Sequence, residues 1–500
     1  MSKQYKLSKS KLLSFRQCPK RLWLQTHRPE LAEIDDATSS VMASGTRVGE
    51  TFRETYPDGV LVDTDDLVSA LEITQTLIAS NQSSPIFEAT FQANDVLVRI
   101  DMLAPAEGGY RLVEVKSSTS VKNYHLDDAA IQTWVAQNAG IPILKTEVAH
   151  IDNRFVYQGN ERYEGLFAVE NVDIEVAERL PQIIQWVRDA QAMLQGDEPS
   201  ICAGPQCYDP FACPFIDYCH QNDEQAEFPV EILPRNYGLA ASLKADGYAD
   251  LRDVPADRLE KAIHQKVLRV TKSGMPELDR EAGRLVRALP YPRYYLDFET
   301  IAFAVPRWAN TRPYQQVPFQ FSCHVEFAPG TVAPSSFLST DVSDPRRAFA
   351  VAVIEAVNPK LLDYLWLQGK PLGPVLVYNA AFERKRIEEL AATFPDLADD
   401  LLGINERIVD LLPITRQHYY HPEMRGSWSL KSVLPTIDAG LAYDGMTVAN
   451  GGMAQDAFLE MIDVGTAEER KTELRQGLLD YCALDTYALV QLVEFFSKEN

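Results

Sequence analysis

Four of the seven cysteines in this 500-residue chain fall within 18 consecutive positions, in Cys202-Ala-Gly-Pro-Gln-Cys-Tyr-Asp-Pro-Phe-Ala-Cys-Pro-Phe-Ile-Asp-Tyr-Cys219. Cys202, Cys207, Cys213 and Cys219 are spaced by four, five and five residues, not by the two-residue knuckles of a zinc ribbon. Seven cysteines are too few for a secreted disulfide scaffold, so crowding of this kind points to a metal centre in a reducing compartment. Cys18 stands far upstream as a fifth candidate, in a helix-like segment broken by Pro19. A fold built round such a centre must bring its thiols to one point, which constrains the chain more than any single periodic segment does.

At roughly 100–200 residues per domain, the length suggests two or three domains. The chain carries 48 basic and 71 acidic residues, a net charge of −23, which argues against a protein that coats nucleic acid or anionic membrane indiscriminately. The charge is unevenly spread: residues 1–29 hold eight Lys/Arg and no acid. No apolar core of a signal peptide follows this basic start, and no apolar run reaches the ~18 residues of a membrane helix. A soluble, cytoplasmic chain without membrane partners is expected.

Strand-like and helix-like patterns alternate in both outer stretches, which predicts an α/β protein. Residues 1–224 form one stretch and 225–290 a mostly helical linker. Residues 291–500 open a new strand-first domain after Pro290 and Pro292.

In the first stretch, Phe87-Glu-Ala-Thr-Phe-Gln and Val96-Leu-Val-Arg-Ile-Asp-Met-Leu read as paired strands with a turn at Asn94-Asp95. Tyr110-Arg-Leu-Val-Glu-Val-Lys alternates, placing Glu114 and Lys116 on one strand face, with Asp101 on the preceding strand. Two acids suit a divalent metal, and a lysine beside them positions or helps deprotonate the attacking water. A surface ion pair on an amphipathic strand is the plainer alternative.

In the last stretch Asp297 and Glu299 flank Phe298, so period two puts both on one face. Glu383 enters a helix after the Val375-Leu-Val strand, and Asp410 ends another strand. Tyr481 and Asp485 lie four apart on a strong helical pattern and share a face. Acids converging on one point repel unless cations lie between them, and two divalent ions serve in-line phosphodiester attack.

Asp101, Glu114-Val-Lys116 and a following helix carrying Gln132 resemble the PD-(D/E)xK (restriction-endonuclease-like) nucleases, and Val115-Lys-Ser-Ser-Thr-Ser-Val-Lys-Asn-Tyr-His resembles their RecB-like branch. The resemblance implies Asp101 and Glu114 as metal ligands, Lys116 as catalytic lysine and Gln132 as a catalytic helix residue facing the site. Glu88 stands as a replacement acid. This chain lacks the family's Gly-x-x-x-His histidine, having Gly45-Thr-Arg-Val-Gly-Glu50, and has Ala136 where a tyrosine follows the glutamine. RecB-like nucleases of the CRISPR-adaptation and helicase–nuclease types hold a 4Fe–4S cluster with one N-terminal and three C-terminal cysteines. That pattern implies Cys18, Cys207, Cys213 and Cys219 as ligands, a staple closing a loop of nearly the whole first domain. Zinc on four of the thiols is the alternative.

Residues 291–498 resemble the DEDDy 3′–5′ exonucleases, which have an RNase H-like fold. Asp297 and Glu299 match the first motif, Asn379 to Glu383 the second, and Tyr481-x-x-x-Asp485 the third; Ser429-Leu-Lys-Ser-Val-Leu matches a further helix. The resemblance implies Asp297, Glu299, Glu383 and Asp485 as ligands of Mg²⁺ or Mn²⁺, with Tyr481 orienting water. Glu383 stands where the family has aspartate, one methylene shorter.

The combined expectation is an enzyme: a metal-dependent nuclease with two sites acting on DNA, on single strands or ends, in repair, foreign-DNA processing or phage defence. RNA is a further candidate substrate for the C-terminal site. A nucleic-acid-binding scaffold with one or both sites degenerate, and a redox-responsive regulator, are the alternatives. Expected phosphate contacts are the basic N-terminal segment, Lys116 to Lys122, Arg384-Lys-Arg, Arg425 and Lys431; Tyr419, Tyr420 and Trp428 are candidates for base stacking.

Overall fold

The structure, a computed structural model, describes residues 7–33, 36–221, 226–236, 238–358, 372–438, 440–441 and 445–498. It is a mixed α/β protein whose contacts divide into two units. One comprises Met1–Asp223 with Ala302–Gln315; the other comprises Glu224–Ile301 with Gln316–Asn500. The boundary expected at 224–225 lies outside the described residues.

The first unit begins with strand β1 (Leu7–Ser8), helices α1 (Lys9–Gln17), α2 (Pro19–His27) and α3 (Asp36–Glu54), then β2 (Val60–Leu61) and α4 (Leu67–Ala79). Strands β3 (Ile86–Ala93), β4 (Val96–Ala106) and β5 (Gly109–Lys116) form an antiparallel meander. Helix α5 (Asn123–Asn138) then crosses to β6 (Ile143–Ile151), parallel to β5, and β7 (Phe167–Asn171), α6 (Asp173–Gln195) and α7 (Ile216–His220) follow. Asn94 and Asp95 both have positive φ, 49° and 62°, the geometry of the tight turn that joins β3 to β4. Ser8 caps α1 by accepting from Lys11 N at 3.2 Å. Cys18 is the extended residue between α1 and α2, and Pro19 starts α2, where a missing N–H costs nothing. Helix α5 is buried from His125 to Ala136 except at Asp127, which explains why it has no clear amphipathic stripe.

The second unit contains α8 (Leu239–Ala245), α9 (Ala262–Ser273), β8 (Glu277–Leu278), α10 (Arg280–Arg287), β9 (Arg293–Ile301), β10 (Val317–Ala328) and β11 (Thr331–Leu338). These lead into α11 (Arg346–Val357), β12 (Val375–Val377), α12 (Ala381–Thr393), α13 (Ala398–Glu406), β13 (Ile408–Asp410), α14 (Leu411–His418) and β14 (Tyr419–Tyr420). Helices α15 (Leu430–Ile437), α16 (Gly451–Ile462) and α17 (Glu468–Lys498) complete it. Its main sheet has the order β11-β10-β9-β12-β13; β9, β10 and β11 run antiparallel in sequence, and β12 and β13 run parallel to β9.

Two expectations about organisation differ from these contacts. The segment expected as a linker packs inside the second unit: Leu243, Leu268 and Val286 share one core with Tyr295, Leu376 and Leu489. Residues 302–315, expected in the C-terminal stretch, fold with the first unit, where Tyr163 Oη donates to Pro306 O at 3.1 Å and Tyr157 N to Thr311 O at 2.9 Å. Apolar side chains bury against whatever surface complements them, and chain order does not limit the choice.

Candidate functional site

Three acids of the first unit lie in a row across its sheet. Glu88 falls between the pairs Phe87–Met102 and Ala89–Ile100, opposite Asp101, and Glu114 follows Val113, the partner of Met102. Glu88 has φ +57°, a backbone region disfavoured for non-glycine residues, and its Oε1 lies 3.8 Å from Arg53 of α3. Asp101 Oδ2 accepts from Val115 N at 2.6 Å. Lys116 Nζ donates to Glu114 Oε1 and, at 2.6 Å, to Asp128 Oδ2. Gln132 Nε2 donates to Glu114 Oε2 at 2.5 Å and to Asp128 Oδ1 at 2.9 Å. The helix glutamine thus meets the strand acid.

Two participants had no role in the sequence reading. Asp128 lies one helical turn before Gln132, a spacing that would have flagged it. Lys9, assigned only to the basic start, reaches Glu114 Oε1 at 3.0 Å and Asp128 Oδ1 at 3.4 Å. No local pattern links residues 105 apart.

Burial and Asp101 push the Glu114 carboxyl up, yet Lys116 and Lys9 outweigh them and hold it below its usual range. Burial pushes Asp101 up against the same two lysines. Burial opposes the charged form of Lys116, but Asp128 and Glu114 hold its ammonium above the usual range. A lysine held so firmly protonated can orient and stabilise charge but cannot serve as a base at neutral pH.

The second unit presents a different balance. Asp297 and Glu299 of β9 and Asp485 of α17 each offer a carboxylate oxygen, and these atoms lie within 4.8 Å of one another. Among the described residues, this is the group of three or more His, Cys, Asp or Glu side chains that meets that spacing. Helix α17 is set over the sheet by polar contacts. Gln320 Nε2 donates to Leu478 O at 2.6 Å, and Thr486 Oγ1 lies 2.8 Å from both Ser322 Oγ and His324 Nδ1. Ser322 is the register partner of Asp297, and Gln320 that of Glu299, so these contacts bring Asp485 to both acids.

Glu383 sits in the first turn of α12, buried, with Oε2 lacking a hydrogen-bond partner. Burial first, then Asp485, Glu299 and Glu383, push the Asp297 carboxyl well above its usual range. Burial and Asp485 push Glu299 up to about 8, against Lys431. Burial, with Asp410 adding to it, pushes Glu383 up to about 8. Acid here exceeds nearby cation, a donor set of hard oxygens that suits Mg²⁺ or Mn²⁺. Buried Tyr481 stands one turn from Asp485, and the Lys431 ammonium lies 5.1 Å from its ring centroid.

Asp410 has a different task. Its Oδ1 accepts from Asn379 N at 2.9 Å and Leu412 N at 3.0 Å, and its Oδ2 from Ala380 N at 3.0 Å. It holds the turn at Asn379, where φ is +81°, and thereby aims Glu383. The expected nucleic-acid contacts are partly corrected. Tyr419, Tyr420 and Trp428 are core residues, at most 5% exposed, and are not surfaces for stacking. Arg384 donates to Asn405 O and Ile408 O, both at 2.9 Å, bracing α12 against the β13 strand.

The cysteines are free thiols: Cys207 and Cys213 are buried, Cys18 and Cys219 partly so, and Cys202 is exposed. Burial raises the Cys213 thiol, with Cys207 and Cys18 near enough to raise it further, while Arg21 opposes. Burial likewise raises Cys219 against Lys20, with Cys213, Cys207 and Cys18 contributing. Cys18, Cys207, Cys213 and Cys219 are thus near enough to influence one another, beside Arg21 and Lys20; among the described residues they do not form a group that meets the 4.8 Å spacing of the acids. Gln17 Nε2 ties α1 to this loop, donating to Gln206 O at 2.8 Å and Phe211 O at 2.6 Å.

Residues 294–429 match the model of a domain of unknown function, DUF2779. The match includes Asp297, Glu299 and Glu383 and stops before Tyr481 and Asp485. The chain is 23% identical over 265 residues to the uncharacterized protein UU173 of Ureaplasma parvum, covering 49% of this chain and 36% of that protein. It is 27% identical over 224 residues to the uncharacterized protein MG366 homolog of Mycoplasma pneumoniae, covering 41% and 32%. The chain thus spans about a third of the length of these curated relatives. A crystal structure of SSO0001 aligns with 40% of this chain and 82% of that one, at 15% identity and a TM-score of 0.19. No helix among the described residues is long and apolar enough to cross a membrane.

Proposed function

We propose that this chain is a metal-dependent nuclease whose hydrolytic centre is formed by Asp297, Glu299 and Asp485, with Glu383 beside them. The observation that carries this reading is the convergence of three carboxylates within 4.8 Å, with two of them held well above their usual pKa range by burial and mutual repulsion. Bound Mg²⁺ or Mn²⁺ would neutralise such a set, polarise a scissile phosphate and acidify the attacking water. Tyr481 orients that water from the same helix face as Asp485, and Lys431 balances charge next to Glu299. Counted from β9, the sheet order 3-2-1-4-5, with the last two strands parallel to the first, supports an RNase H-like, DEDDy-type domain. The substrate class is DNA, single strands or ends, with RNA the second candidate.

The β3–β4–β5 meander followed by α5 and parallel β6 supports a PD-(D/E)xK-like first unit. A second reading applies to that unit alone: it binds nucleic acid without cutting it. The pairing of Glu114 and Asp128 with Lys9 and Lys116 favours this, because cations already occupy the sides where a metal would bind. Cys18, Cys207, Cys213 and Cys219 are the proposed ligands of a 4Fe–4S cluster that pins α1 and α2 to the 207–219 loop.

The test is hydrolysis of labelled single- and double-stranded DNA and RNA by anaerobically prepared protein with Mn²⁺ or Mg²⁺. Asp297→Ala is expected to lower the rate on the order of a thousandfold or more. Under the second reading, Lys116→Ala leaves the rate near wild type. Full activity in Asp297→Ala would refute the main reading.

A further inference from the structure

A cleft of about 870 Å³ opens in the first unit between α1, α2, the start of α5 and the loop joining Cys207 to Cys213. It is lined by residues of the first unit alone. Ser10 and Asp127, which line it, are the chain neighbours of Lys9 and Asp128. Its volume lies within the ordinary range for small-molecule sites.

The walls have a definite chemistry. Arg16, Arg21 and Lys122 supply positive charge, against Asp127 and Asp209. Asp127 is already paired, with Arg179 Nε at 2.9 Å and Arg16 Nε at 3.7 Å, which leaves Arg21 and Lys122 against Asp209, a positive local balance in a protein of net charge −23. Arg21 Nε is buried and has no hydrogen-bond partner, although Nη1 donates to Gln17. A buried donor without an acceptor is costly, and an anion in the cleft would relieve it. Asn123 and Tyr124 line the cleft from the first turn of a 16-residue helix; the N–H groups of His125 and Leu126 already donate to Lys122 O, so the N–H groups of Asn123 and Tyr124 are those that would face an anion. Tyr124 of this turn and Phe211 of the loop pack edge-on at 4.9 Å, offering aromatic surface beside the charge.

We propose that this cleft binds a nucleoside phosphate, with Arg21, Lys122 and the α5 N-terminus holding the phosphate and Tyr124 and Phe211 packing on the base. The chemistry is shared by a free nucleotide and by an unpaired nucleotide within a strand. This deepens, and rests on, the nucleic-acid reading: the first unit grips one nucleotide beside its lysine–carboxylate cluster. Stacking on an aromatic pair is tolerant of base identity, so little sequence preference is expected.

The test measures binding without divalent metal, so that turnover plays no part. Fluorescence anisotropy of a labelled 5′-phosphorylated pentathymidylate is followed with wild type, Lys122→Glu and Phe211→Ala. Lys122 is exposed and Phe211 is 48% exposed, so neither change threatens folding. Each variant should weaken binding about tenfold, and Lys122→Arg should restore it. Ultraviolet cross-linking of a 5-iodouracil oligonucleotide should map to Tyr124 or Phe211. Competition separates the sources: thymidine monophosphate displaces the probe if free nucleotides are the ligand, and only the oligonucleotide does if a strand is. The proposal is overturned if wild type does not bind, if both variants bind as wild type, or if inorganic phosphate competes as well as either nucleotide. Failure here leaves cleavage by the acid cluster intact, whereas loss of that activity in Asp297→Ala leaves binding in the cleft unchanged.

Discussion

A buried carboxylate whose nearby cations do not offset burial and repulsion lowers its free energy by taking a proton or a metal ion. Glu299 and Glu383, both pushed up to about 8, are in that position, whereas Glu114 has lysines beside it. The sign of the pH effect follows. Between about 4.5, the ordinary glutamate value, and about 8, the folded metal-free protein binds more protons at these sites than the unfolded chain. Its stability should therefore fall as pH rises through that window. Mn²⁺ competes with those protons, so it should raise Tm more at pH 8 than at pH 6, a comparison that differential scanning fluorimetry makes directly. Equal shifts at the two pH values, or an unaltered shift in Glu299→Gln, would count against a metal centre at these acids.

Between elements, one close approach of two helices tells where the middle segment belongs. A Cβ added at Gly283 of α10 would lie 2.6 Å from the Phe496 carbonyl oxygen of α17. Helix propensity alone predicts that Gly283→Ala stabilises by about 1 kcal/mol. The steric conflict with backbone should win and destabilise by about 1–3 kcal/mol. A urea midpoint unchanged or raised in this variant would mean that α10 does not pack on α17 at this distance. The same helix, α17, carries Tyr481 and Asp485, so its seating governs the acid cluster. Local sequence revealed α17 by its period and β9 by its alternation. It did not reveal that Gln320, Ser322 and His324 on β10 fix one upon the other, because hydrogen bonds between distant elements leave no period in either.

Across the whole molecule the chain carries a net charge of −23, and several basic residues serve inward purposes: Lys9 and Lys116 neutralise acids, and Arg384 braces carbonyls. Phosphate contacts are therefore few, so binding should be weak, with a shallow dependence on salt. The proposed cluster ligands are the other long-range feature, joining residue 18 to residues 207–219. Protein purified without oxygen should contain about four iron and four acid-labile sulfide per chain. Cys202→Ser should keep both, and Cys207→Ser should lose them together with thermal stability. Iron retained by Cys207→Ser, or zinc in place of iron, would overturn that ligand set.

The sequence by itself determined what local geometry can hold: strands from period two, helices from period 3.6, Asp297 and Glu299 on one face, Glu114 with Lys116, Asp485 with Tyr481. Tertiary structure alone decided which charges meet. Lys9 joins Glu114 across 105 residues, Asp410 becomes the holder of a turn, and Tyr419, Tyr420 and Trp428 become core. It also decided that residues 302–315 fold with the first unit. The physical reason is the range of the forces concerned. Backbone sterics and side-chain alternation act between neighbours, whereas burial, charge pairing and hydrogen bonding are settled by whichever groups the completed fold brings together.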